Sequence, residues 1–433
     1  MVVALALTPQ RPLAADFSCD AAAWTAQPMT LERVLARQDC HPTVRAARAA
    51  LMRARADETT AGQRPNPVLS LGAYSIARGG VGPGRLMDKT FDHQVRVDQT
   101  VERGGKRELR QDAARREVQA ASAELEQIRI DARADLAMAY WDLRASLARV
   151  QALAEFMDLS AQSLKLLERR VQAGDAPAMD LARLQVDDAR LRSESSQAQA
   201  EARAAASRLG VALGLEGPLP PMSSDLAQPP RPVSAGPGTT EPAQADAALV
   251  ARAVQARADV RAAAARSAAA EQRVRLATAL RKPDLNVGVQ ADRYPASLAN
   301  PSGSGNTVSF SVSVPLLVAH AHEGEIAGAV ADWQAAQDQE FQVREAAWAL
   351  AEQALSQARA ARVRREAAES VLEPAAMRLA AAAEAAYARG GISMLELLEA
   401  RRALRLARLE RLTLQTEDAK AALRWQTFNP DGS

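Results

Sequence analysis

The chain repeats itself at one fixed offset of 216 residues. Pro67 and Pro283 each lead into a strand-like run at that spacing, and Gln99 and Pro315 each close a second one. Gly174 and Gly390 break two long helical patterns at the same offset, and Val44-Arg45-Ala46-Ala47 returns as Val260-Arg261-Ala262-Ala263. A spacing held without slippage argues for two tandem copies of one unit. Each copy is far longer than a solenoid tile, so it is half a molecule. Its order is helix, strand, hairpin loop, strand, then a very long helical hairpin.

This order divides the chain as follows. Residues 1–15 are a signal-peptide remnant: Val2 to Leu7 is apolar, and Leu13-Ala14-Ala15 before Asp16 resembles a signal-peptidase site, although no Lys or Arg precedes the run. Residues 16–40 form an N-terminal segment in which Cys19 and Cys40 are candidates for a disulfide. Residues 41–216 are the first repeat, with strands at about 67–76 and 91–101 and helices at about 105–173 and 177–213. Residues 217–246 are a linker whose eight prolines disfavour regular structure. Residues 247–428 are the second repeat, with strands at about 284–293 and 306–316 and helices at about 322–389 and 393–428. Residues 429–433 are a tail.

The strands alternate. Phe91, His93, Val95, Val97, Gln99 and Val101 fall on one face of their run, and Asp92, Gln94, Arg96, Asp98, Thr100 and Glu102 fall on the other. Val308, Phe310, Val312, Val314 and Leu316 alternate with Thr307, Ser309, Ser311 and Ser313. Period two means a half-exposed strand, and a tilted strand of about 9–11 residues crosses a bilayer. The loops Arg78 to Thr90 and Pro295 to Asn306 are polar and rich in Gly or Pro. Four strands cannot close a barrel with a usable interior, and hydrocarbon does not tolerate open sheet edges. Membrane strands in this number require several chains to share one barrel. The bland alternative is a soluble antiparallel sheet.

The helices are too long for a globular core. No Gly or Pro interrupts the 68 residues between Gly105 and Gly174, about 100 Å of continuous helix. In the second copy Pro374 marks a kink or junction. The net charge of +2 gives no bulk case for nucleic-acid binding. No nucleophile–base pattern, phosphate loop or well-spaced zinc motif points to an enzyme or a cofactor.

Together these residues resemble the outer membrane factor family of bacterial efflux, the TolC-like channels. The resemblance runs from Leu31 to Phe428. It rests on Asn66-Pro67 and Lys282-Pro283 before the first strand of each half, on Gln99 through Arg107 leaving the second strand, and on Gly174-Asp175 and Gly390-Gly391 at the helical turns. Glu102-Arg103-Gly104-Gly105-Lys106-Arg107 is similar to the heavy-metal exporter branch, the CzcC-like proteins. The resemblance implies a mainly α-helical chain with a membrane β-barrel portion. In a homotrimer, twelve strands form the barrel in outer-membrane lipid and the helices form a periplasmic α-barrel. It implies passive conduction, a periplasmic adaptor (membrane fusion protein) and an inner-membrane RND-type pump. The same fold also serves multidrug efflux or type I protein secretion. A soluble coiled-coil scaffold is the alternative of another class.

The resemblance also assigns sites. Glu396 and Glu399, three apart on one helical face, become pore-gating acidic rings whose mutual repulsion raises their pKa values or recruits cations. Asp180 and Tyr387 match gate tethers, with Ile392 where a basic tether is usual. Gly174, Asp175, Gly390 and Gly391 dock the adaptor, and Pro177 suits the first turn of the returning helix. His320 and His322, near Glu323 and Glu325, are weak candidates for a metal site. A solvated helix start is the plain reading of that cluster.

Overall fold

A seven-residue spacing of buried side chains shapes the helices. On the helix Ala178–Ala212 (α4), Leu184, Asp188, Leu191, Ser195, Ala198, Ala202, Ala205 and Leu209 are buried at alternating steps of four and three. On the helix Glu323–Ala367 (α7), Ala347, Ala351, Ala354, Ala358 and Ala361 follow the same rule. Such a period keeps one seam facing its neighbours in a left-handed supercoil. Alanine at most seam positions lets the backbones approach closely. Asp188 in the seam is satisfied by Ser160 Oγ at 2.9 Å and Arg192 Nε at 2.7 Å, as a buried carboxylate must be.

The computed structural model describes residues 24, 28–74, 91–215, 219–222, 242–296 and 305–428. In chain order the helices are α1 Leu31–Ala36, α2 Pro42–Ala61, α3 Lys106–Gln172, α4 Ala178–Ala212, α5 Pro242–Ala256, α6 Ala258–Ala279, α7 Glu323–Ala367, α8 Glu373–Ala388 and α9 Met394–Gln426. The strands are β1 Val68–Tyr74, β2 Asp92–Val101, β3 Leu285–Tyr294 and β4 Gly305–Ser313. The 216-residue offset carries the starts of α2, α3 and α4 onto those of α6, α7 and α9 to within one residue.

The chain forms two compact units. One comprises residues 1–48, 125–257 and 345–433, and the other residues 49–124 and 258–344. Among the described residues the second unit holds one antiparallel sheet, in the order β1-β2-β3-β4. Leu71 faces Val95, which faces Ala291, which faces Val308, so the two repeats share one ladder. In the first unit, Met29, Val34, Leu136, Tyr140, Leu209 and Leu213 form a fully buried cluster joining the N-terminal segment to α3 and α4. A parallel bridge between Met29 and Met222 ties that segment to the stretch after α4.

Several expectations need correction. β4 stops at Ser313, two residues before Pro315, which has no N–H to give to a ladder. Gly305 and Asn306 already lie in β4, so the preceding loop is shorter than expected. The long helix of the second copy is interrupted by a π-turn at Ala368–Leu372, ahead of Pro374, which sits in the tolerated first turn of α8. Pro242 opens a helix at the end of the proline-rich linker, because its fixed φ suits a first helical position. Pro177 caps α4 in extended conformation rather than entering its first turn.

The signal segment 1–15, Cys19, residues 75–90 and the tail 429–433 lie outside the described residues, as do linker positions 223–241. Cys40 is disulfide-bonded.

Both helical hairpins turn through a left-handed glycine, with φ of 79° at Gly174 and 75° at Gly390. Gly174 N–H bonds Val171 O and Asp175 N–H bonds Arg170 O, and the second copy repeats this with Gly390 to Tyr387 and Gly391 to Ala386. These are Schellman caps. Gly174→Ala and Gly390→Ala should each destabilise the folded protein by roughly 1–2 kcal/mol. Urea unfolding followed by circular dichroism measures this, and an unmoved midpoint would show that the turns tolerate a Cβ.

Candidate functional site

The sheet is apolar on its exposed side. Leu69, Leu71, Val95, Val97, Val287, Val289, Val308, Phe310 and Val312 are all exposed, with Leu71 at 73% and Phe310 at 79%. The register aligns them in rows, with Leu69 beside Val97, Val289 and Phe310. Left in water, such side chains forfeit roughly 1.5–3 kcal/mol each. Nine of them together reach or exceed the whole stability of an ordinary domain, about 5–15 kcal/mol. A soluble scaffold would have turned this face inward.

The opposite face is polar and internally bonded. Arg96 donates to both carboxylate oxygens of Asp98 at 2.7 Å, to Gln290 Oε1 at 3.2 Å and to Ser311 Oγ at 3.1 Å. Gln290 in turn donates to Asp292 at 2.8 and 3.0 Å. Gly288 leaves room for this network, since a Cβ there would stand 2.5 Å from Asp98 Oδ1 and 2.8 Å from Arg96 Nη2. Apolar outside and polar inside is the transverse pattern of a transmembrane β-barrel wall. Among the described residues no helix is long and apolar enough to cross a membrane.

The strand-to-helix passage after β2 is locked by charge. Gly104 and Gly105 both have positive φ, of 74° and 70°. Asp284 accepts from Arg103 N at 2.9 Å and from the buried Lys106 Nζ at 2.8 Å. Arg110 pairs with Glu102, and Arg107 Nε donates to Gly62 O at 2.7 Å. The side chains of Glu102, Lys106 and Arg107 therefore hold this junction together.

At the hairpin tips, Leu167, Leu184, Ala383, Met394, Leu397 and Ala400 form one cluster, with Tyr387 and Ile392 packed against it. The two tips of one chain thus share a core. Asp180 pairs with Arg183 at 3.5 Å, while Tyr387 is held by the cluster. Glu396 and Glu399 are exposed on α9. Glu396 Oε2 accepts from Ser393 N at 2.8 Å and Ser393 Oγ at 2.9 Å, completing a capping box at the start of α9. The Ser393 backbone N–H, helped by its hydroxyl, holds the Glu396 carboxyl below its ordinary value. This is opposite to the elevation expected of a crowded acidic ring, because within one chain Glu396 meets hydrogen-bond donors rather than other carboxylates. The sequence signal of this cap is Ser393 three residues before Glu396.

His320 and His322 pack edge to face at 5.4 Å, and His322 Nδ1 lies 3.1 Å from Glu325. Among the described residues no group of three or more candidate ligands converges. Glu323 instead accepts from Ala321 N at 2.9 Å, a helix-start contact.

Residues 34–215 and 249–425 match the family described as outer membrane efflux protein. The chain belongs to that family. It is an efflux channel protein of the outer membrane, in a family of transport proteins rather than enzymes. No curated protein matches it. Among solved structures it is similar to CusC, with 18% identity, a TM-score of 0.76 and coverage of 98% of this chain and 99% of that one. A membrane protein from Pseudomonas aeruginosa gives 19% identity, a TM-score of 0.77 and coverage of 97% and 98%. The Campylobacter jejuni CmeC outer membrane channel gives 14% identity, a TM-score of 0.74 and coverage of 93% and 86%. At these identities the likeness is one of fold.

Two outcomes follow for this efflux protein. Phe310→Arg, on the exposed apolar face, should cost roughly 2–4 kcal/mol at mid-bilayer and remove the protein from the outer-membrane fraction, whereas Ser309→Arg should leave it there. Equal recovery of both would refute the assignment of faces. At the tips, the depressed Glu396 carboxyl stabilises the fold above its unfolded value of 4.5 and loses that contribution as pH falls through its lower folded value. Glu396→Gln should flatten the pH dependence of unfolding in that acid range, and an unchanged profile would argue against the cap.

Proposed function

We propose that three copies of this chain assemble into one duct. Each contributes β1 to β4 to a shared twelve-stranded barrel, and the helices of the three copies continue as a periplasmic α-barrel. The observation that carries this reading is an open sheet with its apolar face outward. A four-stranded sheet leaves β1 and β4 as edges, and lipid offers their backbone groups no partners. Copies of the same chain supply partners on both sides at once, in a ring that closes. The duct conducts passively. A periplasmic adaptor docks at Gly174, Asp175, Gly390 and Gly391, and an inner-membrane RND-type pump supplies the driving force.

The cargo we propose is heavy-metal cations. The support is the likeness of Glu102 to Arg107 to the heavy-metal exporter branch. Glu396 and Glu399 form the gate. In a trimer they bring six carboxylates near one axis, which favours cations over anions. Asp180 and Tyr387 are placed in this reading as tethers between neighbouring coils.

Cross-linking in detergent should yield trimers. Glu396→Ala with Glu399→Ala should lower cation selectivity in planar bilayers, and unchanged selectivity would remove these residues from the pore. Deleting the gene should sensitise cells to Zn²⁺, Co²⁺, Cd²⁺ or Cu²⁺. Normal growth on all four would point the cargo reading towards drugs or a secreted protein.

A further inference from the structure

A cleft of about 800 Å³ lies between α3, α4, α7 and α9, within the first unit. Arg149, Arg208, Arg364, Lys420 and Arg424 reach its wall, against the acids Asp142, Glu201 and Glu417. The pairing within this set is unequal. Lys420 is taken by Asp142 at 2.8 Å and Arg364 by Glu417 at 3.1 Å. Glu201 accepts from Gln197 at 2.9 Å on its own helix. Among the described residues, the guanidinium groups of Arg149, Arg208 and Arg424 have no carboxylate within ion-pair distance. The Nε of Arg149 is also buried without a hydrogen-bond acceptor.

Arg208 and Arg424 are exposed and Arg149 is half-buried, so water serves the first two and the cost of an unmet buried donor falls on Arg149 Nε. A guanidinium cannot shed its proton, so crowding cannot be relieved by titration as it could be at a lysine. A buried charged donor without an acceptor costs more than a neutral one. The groups also share a concavity of ligand size. A second hollow of about 260 Å³ is lined by Arg208, Lys420 and Arg424 as well, with Asp135 and Asp142 beside them. On α3 the cleft residues Asp142, Ala145, Ser146 and Arg149 lie on the side of the helix away from the buried Leu136, Tyr140 and Leu143. The lining also includes the buried Ala361, Leu409 and Ala421, so the charged groups stand beside packed helix surface.

We propose that this cleft is a binding site for a multiply charged phosphate-class oxyanion. Three unpaired guanidinium forks match the several acceptor oxygens of such an anion, each fork able to give two parallel hydrogen bonds. A lone carboxylate offers too few oxygens to occupy all three. Nothing in this assignment depends on the trimer or on the cargo, because binding is read on the purified protein itself.

The test is isothermal titration calorimetry of the full chain in detergent at low salt, with inorganic tripolyphosphate as the probe. Saturable binding is expected, weakening steeply as salt is raised. Arg149→Gln, Arg208→Gln and Arg424→Gln should each weaken it about tenfold, and the triple variant should abolish it. Arg192→Gln, which removes an arginine paired with Asp188 outside the cleft, should leave it unchanged. Circular dichroism confirms that each variant keeps its helices. Absence of saturable binding to the unmodified protein at millimolar tripolyphosphate overturns the proposal. So does equal binding by the triple variant, or citrate binding as tightly as tripolyphosphate.

Discussion

Everything about the sheet follows from where its backbone hydrogen bonds can go. The two inner strands satisfy each other and their neighbours, while β1 and β4 each keep one row of donors and acceptors unspent. In water that row is merely an aggregation hazard. Beside an apolar face made for lipid it becomes an assembly requirement, because hydrocarbon provides no substitute partner. The Arg96–Asp98–Gln290–Ser311 network answers the same constraint on the other side. Polar side chains that line a barrel wall are tied to each other across three strands, and Gly288 gives up its side chain to make room. One alternating pattern thus serves two solvents at once.

The helices solve a different problem with equally plain means. A two-helix hairpin has no core of its own, so its apolar stripe must meet another helix. The alanine-rich seven-residue seam on α4 and α7 brings backbones close instead of filling space with large side chains. This gains dispersion contacts over a great length while each single contact stays small. Polar exceptions such as Asp188 and Arg405 are held in place by specific partners, Ser160 and Arg192 for the first and Asp187 and Glu194 for the second. Such buried polar groups favour one axial alignment of neighbouring helices over its slips.

Much of this was legible before any coordinates. The strand faces were readable because Val95, Val97, Val308, Phe310 and Val312 alternate without a break, and period two leaves a single choice of side. The hairpin turns were readable because only glycine adopts the backbone that Gly174 and Gly390 adopt at little cost. What the sequence hid were effects that depend on partners far away along the chain. Nothing local to Lys106 announces Asp284, and nothing local to Arg96 announces Gln290 and Ser311. The π-turn at 368–372 lies in unbroken helix-forming residues, so the visible Pro374 drew attention a few residues too late. Glu396 stands three residues from both Glu399 and Ser393, and it is the spacing to Ser393 that its carboxylate uses.

The two halves of the molecule start their helices at matching positions and differ at the joint between sheet and long helix. In the first copy Glu102, Lys106 and Arg110 clamp the end of β2 to the start of α3. At the 216-residue offset the second copy has Val318, His322 and Ile326 in those places, and Val318 is 88% exposed. Residues 314–322 therefore pass from sheet to helix without that clamp. The second joint is tied instead by Arg281, whose Nε donates to Ala321 O at 3.3 Å. Duplication thus kept the path of the chain while the bonds that fasten sheet to helix diverged.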